Sequence, residues 1–392
     1  MTPHQSKIEK LIAQLCPNGV EFKELGELVN ILDSQRSPVT REKREIGEVP
    51  YYGANGIQSY VKDYIFDGTF LLMGEDGSVI NKDGSPVLNW VSGRIWVNNH
   101  AHILSEIKDK ALLRYIYFSL QKTDVTKLVR GTPPKLNQQS LRGIKIPLPP
   151  IAIQEEIVTI LNSFTELEAE LEAELEAREK QYEHYRDELL NIEGTEHKTL
   201  RDIGIMIRGG GLQKKDFTET GVGCIHYGQI YTHYGTFADK TKTFVSPELA
   251  KKLKKALKGD VLISGVSENI EDVCKPLGWL GDEICISGDM FAFRHNQNTK
   301  FITYLLQTTN FHRYKEKYAQ GAKVTRVKTD KILDYKIPVP PLKEQERIAS
   351  ILDKFDALVN DISIGLPAEL SARRSQYEYY RGKLLTFKEY AK

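Results

Sequence analysis

His100 and His102 stand two residues apart in "NNHAHIL", a spacing that on a strand puts both rings on one face, where they could share a metal ion. Histidines so placed are more often structural or surface residues, and no metal is expected. The four cysteines, Cys16, Cys224, Cys274 and Cys285, show no C-x-x-C spacing, which argues against structural zinc and a disulfide framework alike. Gly209-Gly210-Gly211 lacks the spacing of a dinucleotide loop and reads as a flexible turn. Phosphate-loop, H-E-x-x-H and G-x-S-x-G signatures are absent. So are the N/D-P-P-Y/F tetrapeptide of amino-methylating enzymes and any Pro-Asp pair. Catalysis by this chain alone is therefore not expected.

Composition narrows the remaining classes. The chain has 392 residues, enough for two domains or more, with 40% hydrophobic residues and no apolar run near membrane-spanning length. Its start mixes His4, Lys7, Glu9 and Lys10 among apolar residues, unlike a signal peptide, so a cytoplasmic location with no membrane partner is expected. The net charge of +1 conceals a segregation: residues 1–150 sum to +3, 151–193 to −10, 194–341 to +7 and 342–392 to +1. Two basic segments flank an acidic one, which points to an anionic partner, although solvated surfaces carry such charge too.

The elements that must position these groups come in duplicate. "KIPLPPIAIQEEIVTILNSF" from Lys145 returns as "KIPVPPLKEQERIASILDKF" from Lys336, with 11 of 20 positions identical at an offset of 191. "AREKQYEHYRDELL" from Ala177 returns as "ARRSQYEYYRGKLL" from Ala372, 9 of 14 identical at an offset of 195. Fainter echoes pair Lys23, Leu25, Tyr52 and Gly53 with Lys198, Leu200, Tyr227 and Gly228. Others pair Gly68, Leu71 and Gly74 with Gly259, Leu262 and Gly265, and Ile116, Leu120 and Gln121 with Ile302, Leu306 and Gln307.

Each copy reads as a globular α+β domain, a Pro-rich exit strand, then a long helix. The predicted boundaries are 1–150 and 194–341 for the domains, 151–193 and 342–392 for the helical segments. Ile153, Ile157, Ile160, Phe164, Leu167 and Leu171 alternate at four and three, the seam of a coiled coil, as do Ile348, Ile351, Phe355, Leu358 and Ile362. Between residues 167 and 178 an L-E-A-x unit occurs three times, which adds a stutter to that seam. Gly365 and Pro367 predict a break in the second helical segment. "TFLLMG" and "DVLISG" read as buried strands, Asn55-Gly56 as a tight turn, and "SPELAKKLKKALKGD" from Ser246 as a helix.

The two Pro-rich exits, the two "ARxxQYExYRxxLL" helix ends, the openings "GVEFKELGELV" and "HKTLRDIG", and "YYGANGIQSY" together resemble the specificity subunit of type I restriction-modification systems over nearly the whole chain. The resemblance implies two target recognition domains, each reading one half of a split DNA sequence. They would be held apart by two long helices packed as an antiparallel coiled coil with pseudo-two-fold symmetry. It implies double-stranded DNA, two methyltransferase subunits and two restriction/translocase subunits as partners. No cofactor would be bound by this chain: S-adenosylmethionine would belong to the methyltransferase partner, ATP and Mg to the restriction partner. In that family the short central repeat is associated with spacer length; here it is written L-E-A-E rather than in a threonine-bearing form.

For DNA contact the sequence nominates Tyr51, Tyr52, Asn55 and Gln58 on the predicted turn, and Arg130, Lys135, Asn137 and Gln138 before the first exit. The second domain offers His226, Tyr227, Gln229 and His233, with Lys323, Thr325, Arg326 and Lys328 at the place before its exit. A coiled-coil scaffold or adaptor without sequence-specific readout is the competing reading, and an enzyme with an unrecognised site is a third.

Overall fold

The computed structural model describes residues 3–321, 323–360 and 364–390. The chain divides into two compact units, residues 1–169 with 372–392, and residues 170–371. The division falls inside the first L-E-A-x unit, so compactness cuts through the helical segments rather than at their junctions with the globular parts.

In the first half of the chain, α1 (Pro3–Leu15) and β1 (Glu21–Glu24) lead into α2 (Leu25–Leu28) and β2 (Val29–Ile31). Strands β3 (Ile46–Gly53), β4 (Gly56–Val61), β5 (Phe66–Gly74), β6 (Leu88–Val97) and β7 (Ala101–Glu106) follow. Then come α3 (Leu113–Leu120), α4 (Gln138–Arg142), β8 (Lys145–Leu148) and the forty-residue α5 (Ile151–Leu190). The six-stranded sheet runs β2-β7-β5-β6-β3-β4, antiparallel except where β3 meets β6. Tight turning at Asn55 lets Gly53 pair Gly56, whose φ of +103° suits glycine.

The second half repeats this plan with β9 (His197–Thr199), α6 (Leu200–Ile203), β10 (Gly204–Arg208) and β11 (Val222–Ile225). After α7 (Tyr227–Thr232) come β12 (Phe237–Ala238), β13 (Thr243–Val245), α8 (Pro247–Ala250), β14 (Lys255–Ala256), β15 (Val261–Ser264) and β16 (Val266–Ser267). Strands β17 (Pro276–Trp279), β18 (Ile284–Ile286) and β19 (Met290–His295) precede α9 (Thr299–Leu305) and α10 (Thr309–Glu316). The chain finishes through β20 (Thr325–Arg326), α11 (Thr329–Leu333), β21 (Lys336–Pro338), α12 (Leu342–Asn360) and α13 (Leu366–Leu384).

Strand order β10-β19-β15-β17 matches β2-β7-β5-β6, and β18-β11-β13 matches the remainder of the first sheet. Where β6 is continuous, its counterpart is interrupted between Trp279 and Ile284, which splits the sheet in two. In both halves the exit strand pairs with the entry strand, β8 with β1 and β21 with β9. The repeated glutamine explains part of that recurrence. Gln154, almost wholly buried, donates to Pro149 O at 2.8 Å and accepts from Leu112 N at 3.0 Å. Gln345 likewise donates to Pro340 O at 2.8 Å and accepts from Asn298 N at 3.0 Å. Each one fastens the start of a long helix to the residue before α3 or α9.

One face of each sheet is buried under the long helices. Leu71, Met73 and Leu104 share a core with Ile153, Ile157, Leu161 and Tyr377; Val261, Ile263 and Phe293 share one with Tyr182, Ile348, Leu352 and Val359. A fully buried leucine or isoleucine contributes about 1.5–3 kcal/mol, so these seams anchor the helices firmly. They also correct the sequence echo at 191. Leu71 faces the helices whereas Leu262 faces the opposite core, so the structural offset there is one residue smaller, and a one-residue slip exchanges the faces of a strand. Tyr52 and Tyr227 are likewise not equivalent. Tyr52 lies near the end of β3, while Tyr227 opens α7, which has been inserted after β11.

The helices pack antiparallel within each unit. In the first, the Phe164 ring meets Tyr377 and Tyr380 at 6.4 and 5.4 Å, and Glu168 bonds Arg374 at 2.6 Å. In the second, Tyr185 meets Phe355 at 5.6 Å and Tyr182 Oη donates to Asp356 at 3.4 Å. Helix α12 ends at Asn360 and α13 begins at Leu366, with Pro367 in its first turn. The seam residue Ile362 lies outside the described residues.

Two local expectations fail. The stretch from Ser246 is helical only over Pro247–Ala250, because Lys255 and Ala256 pair with β18 instead. Gly209-Gly210-Gly211 is anchored rather than loose: Gly209 N donates to Met290 O and Gly210 N to Ile286 O, both at 3.0 Å. A Cβ on Gly209 would lie 1.9 Å from Ser287 O, so the close backbone approach demands glycine.

Candidate nucleic-acid interface

In the first unit both nominated segments meet at the end of the sheet where β5 stops and β7 starts. Gly74 backs onto the Ala54 carbonyl, and Gly77 N donates to Pro134 O at 2.9 Å. Residues 130–135 form a small hairpin in which Arg130 and Lys135 exchange backbone bonds of 2.8 and 3.0 Å, with Gly131 at φ +88°. In the second unit Gln320 and Arg326 exchange two backbone bonds of 2.9 Å, with Gly321 at φ +117°. Arg326 pairs Val266, and Tyr231 Oη donates to Val266 O at 2.7 Å, which brings α7 to the same place.

The nominated residues do not all reach solvent with free polar groups. Tyr51 is buried, its hydroxyl accepts from Val39 N at 3.1 Å, and the Arg44 guanidinium lies 4.0 Å over its ring. Half-buried Tyr52 packs in the core of the outer sheet face, and burial, then the neighbouring Tyr60, pushes its phenol up. Asn55 is exposed at the turn tip, and exposed Gln58 accepts from Asn98 Nδ2 at 3.2 Å. Asn137 caps α4 by accepting from Ser140 N at 2.8 Å. Lys135 pairs Glu75 at 3.1 Å, and Gln138 Nε2 donates to Asp33 at 3.0 Å.

On the other unit, His226 N donates to Gln229 Oε1 at 2.8 Å, and Gln229 Nε2 donates to Thr243 Oγ1 at 3.2 Å, so that amide is engaged in capping α7. Tyr227 N donates to Ser287 Oγ at 3.0 Å and its ring lies 4.5 Å from that of His226. Burial, then the Lys214 ammonium, pushes the His226 imidazole down. His233 is exposed, and Thr325 is buried in the ladder. Arg130, Lys323, Arg326 and Lys328 present exposed cations, for which no acidic partner is found among the described residues.

Sequence reasoning missed the group that organises the first sheet end. His102 Nδ1 contacts Asp33 Oδ2 at 2.6 Å and its Nε2 contacts Leu136 O at 2.8 Å. Asp33 Oδ1 accepts from Ile103 N at 3.0 Å, which prolongs the β2–β7 ladder beyond Ile31. Arg36 donates to Glu75 at 2.5 Å and to Ala101 O at 2.9 Å. Burial pushes both carboxyls up, but His102, Ile103 N and Gln138 outweigh it for Asp33. Arg36, His102 and Lys135 do so for Glu75, so both end below their ordinary values. Asp33, Glu75 and His102 come close enough to hold a metal ion, yet Arg36 and Lys135 already supply cations to Glu75, and both His102 nitrogens have partners. His100 does not join them; it pairs Asp76 instead. The sequence singled out His102, Lys135 and Gln138 separately but not their joining, since the His102 partners Asp33 and Leu136 lie 69 and 34 positions away.

Two copies of one scaffold, each offering unlike polar loops at the same sheet end, define a duplicated recognition protein. Comparison with known proteins places it further. The profile described as the type I restriction modification DNA specificity domain matches residues 17–177 and again 192–372. A putative type I restriction enzyme specificity subunit of Haemophilus influenzae is 37% identical, covering 99% of this chain and 100% of that one. The EcoR124I/EcoR124II specificity subunit of Escherichia coli is 34% identical over 71% of this chain and 72% of its own. The crystal structure of the type I S subunit from M. genitalium matches with a TM-score of 0.57 at 15% identity, over 94% of this chain and 96% of that one, a likeness of fold. The chain belongs to the type I restriction-modification specificity subunits, with two tandem recognition domains.

Proposed function

We propose that each unit reads one half of a split, asymmetric DNA sequence through the loops at its sheet end, and that the chain carries no catalytic site. The observation that carries this reading is the contrast between kept scaffold and changed tip. The strand order recurs, while the tip of one unit carries Asn55, Gln58 and Arg130 and the tip of the other unit carries the different set His233, Lys323, Arg326 and Lys328. Exposed cations displace counterions from phosphates, and amide and guanidinium groups read base edges in the major groove. Unlike tips then read unlike half-sites.

Two methyltransferase subunits dock on the long helices and recognition domains, and two restriction/translocase subunits join them for cleavage. S-adenosylmethionine is held by the former, ATP and Mg by the latter, and the complex works in the cytoplasm. Relatives named as specificity subunits of type I restriction enzymes support this assembly. No helix among the described residues is long and apolar enough to cross a membrane.

Long-read sequencing of DNA from cells carrying this chain and its methyltransferase tests the reading. One interrupted, asymmetric methylation motif is expected. A palindromic or uninterrupted motif overturns it, and binding that lacks both salt dependence and sequence preference returns the scaffold reading.

A further inference from the structure

The nominated segment before the first exit contains exposed side chains whose polar ends are already bonded to the protein's own carboxylates. Gln138 and Lys135 point their polar ends at Asp33 and Glu75, and Leu136 is wholly buried between them. The attachments of residues 134–138 converge on one place: Leu136 N donates to Glu75 O at 2.8 Å, Leu136 O faces His102 Nε2 at 2.8 Å, and Pro134 O accepts from Gly77 N at 2.9 Å. The buried His102 ring spans the space between the Asp33 carboxyl and the Leu136 carbonyl, with one ring nitrogen at hydrogen-bond distance from each.

We propose that the buried network of Asp33, His102 and Glu75, closed by Arg36, Lys135 and Gln138, fixes the shape of residues 130–138 and thereby sets which bases the first unit accepts. His102 and Gln138 are positioning residues in this scheme, and the exposed tip, Arg130 with Asn55 and Gln58 across the sheet end, carries the contact. The inference rests on the DNA-reading function proposed above and assigns its discrimination in one half-site to a group that touches no base.

Three features carry it. Each buried charge has an opposite partner, and removing one partner from such a set is far more damaging than its net contribution, so the network holds or fails as a unit. The loop is polar and short of apolar anchors apart from Leu136, so its conformation depends on these bonds. The second unit is built differently. His102 lies opposite Met73 in the β5–β7 ladder, and Phe291 lies opposite Ile263 at the matching rung of β15–β19. There the corresponding hairpin is held by the β16–β20 ladder and by Tyr231. Loss of the network therefore affects one half-site alone. A misplacement of reading groups by about 1 Å is enough to forfeit a bidentate base contact, which is worth roughly tenfold to a hundredfold in discrimination.

The test uses the full chain in complex with its methyltransferase subunits and a panel of duplexes carrying single-base changes in either half of the mapped site. His102→Phe borrows the residue of the second unit, and Gln138→Ala removes only an amide at the surface, so the second variant decides if the first folds poorly. Expected for both is a loss of discrimination, about tenfold or more, at bases of one half-site, with discrimination in the other half unchanged. Uniform slowing on every duplex with ratios preserved overturns the proposal, since that is what lost stability alone produces; relaxation in both halves overturns it as well. A wild-type complex that methylates no split site sinks the underlying reading and this inference with it. A wild-type complex that does so, beside variants of undiminished selectivity, sinks the inference alone.

Discussion

At the residue scale, single polar side chains decide how segments far apart in sequence are joined. Gln154 and Gln345 each satisfy one backbone donor and one backbone acceptor at a buried junction. Replacing either with alanine leaves two groups without partners, at about 1–3 kcal/mol each. Chemical denaturation of Gln154→Ala and Gln345→Ala should show losses of that size, and a change below 0.5 kcal/mol would mean that water replaces the amide. Asp33 and Glu75 give a second expectation, in acid. Both carboxyls lie below their unfolded values in the fold, so their stabilisation is present above the unfolded carboxylate range, about pH 4, and fades as pH falls through the depressed values. Hydrogen exchange in residues 130–138 should accelerate below about pH 4 relative to β5 and β7. Parallel acceleration of all three segments would mean global unfolding rather than release of the loop.

At the element scale, the long helices were legible because their period is a property of the local chain. Of the predicted seam, Ile153, Ile157 and Ile348 are buried, but Leu161, Leu352 and Val359 take the buried places one position after Ile160, Ile351 and Leu358, the last of which is exposed; Leu167, Leu171 and Leu175 are only partly covered. The failed helix from Ser246 shows the opposite case. Its lysines and leucines favour a helix, yet the backbone of Lys255–Ala256 finds ladder partners in β18, and tertiary pairing overrides propensity. Helix α12 carries its own electrostatic expense at Asp356. Burial, and then Asp353 beside it, pushes this carboxyl up despite bonds from Thr236 at 2.8 Å and Asn360 at 2.9 Å. A raised folded value means that its contribution is most favourable at low pH and is lost as pH climbs through that value. Asp356→Asn keeps an acceptor oxygen and drops the charge, so its melting temperature should rise at neutral pH and not in acid. A lower midpoint at neutral pH would show that the charge is better compensated than its surroundings indicate.

At the scale of the whole molecule, duplication is the organising fact, and the L-E-A-x tract lies within α5. Each unit of four residues adds about 6 Å of helix at 1.5 Å per residue, with some 40° of rotation beyond a full turn. On a duplex rising about 3.4 Å per base pair, that is one to two base pairs. Insertion of one further L-E-A-x unit should shift the preferred gap between half-sites by that amount while both half-sites stay the same, as read by methylation mapping. An unchanged gap would remove the helix from the role of ruler.

The sequence by itself determined the duplication, the long helices, the α+β character and the cationic loops before each exit, because repeats and periodic patterns are written in neighbouring residues. It could not tell that Tyr51 is sealed under Arg44, that Gln138 turns inward to Asp33, or that the strand echo is one residue out of register. Those outcomes depend on which side of a strand meets a core and on which distant partner reaches a polar tip first. Only the tertiary structure decided them, since side-chain direction and burial are set by contacts between residues that the chain itself does not place together.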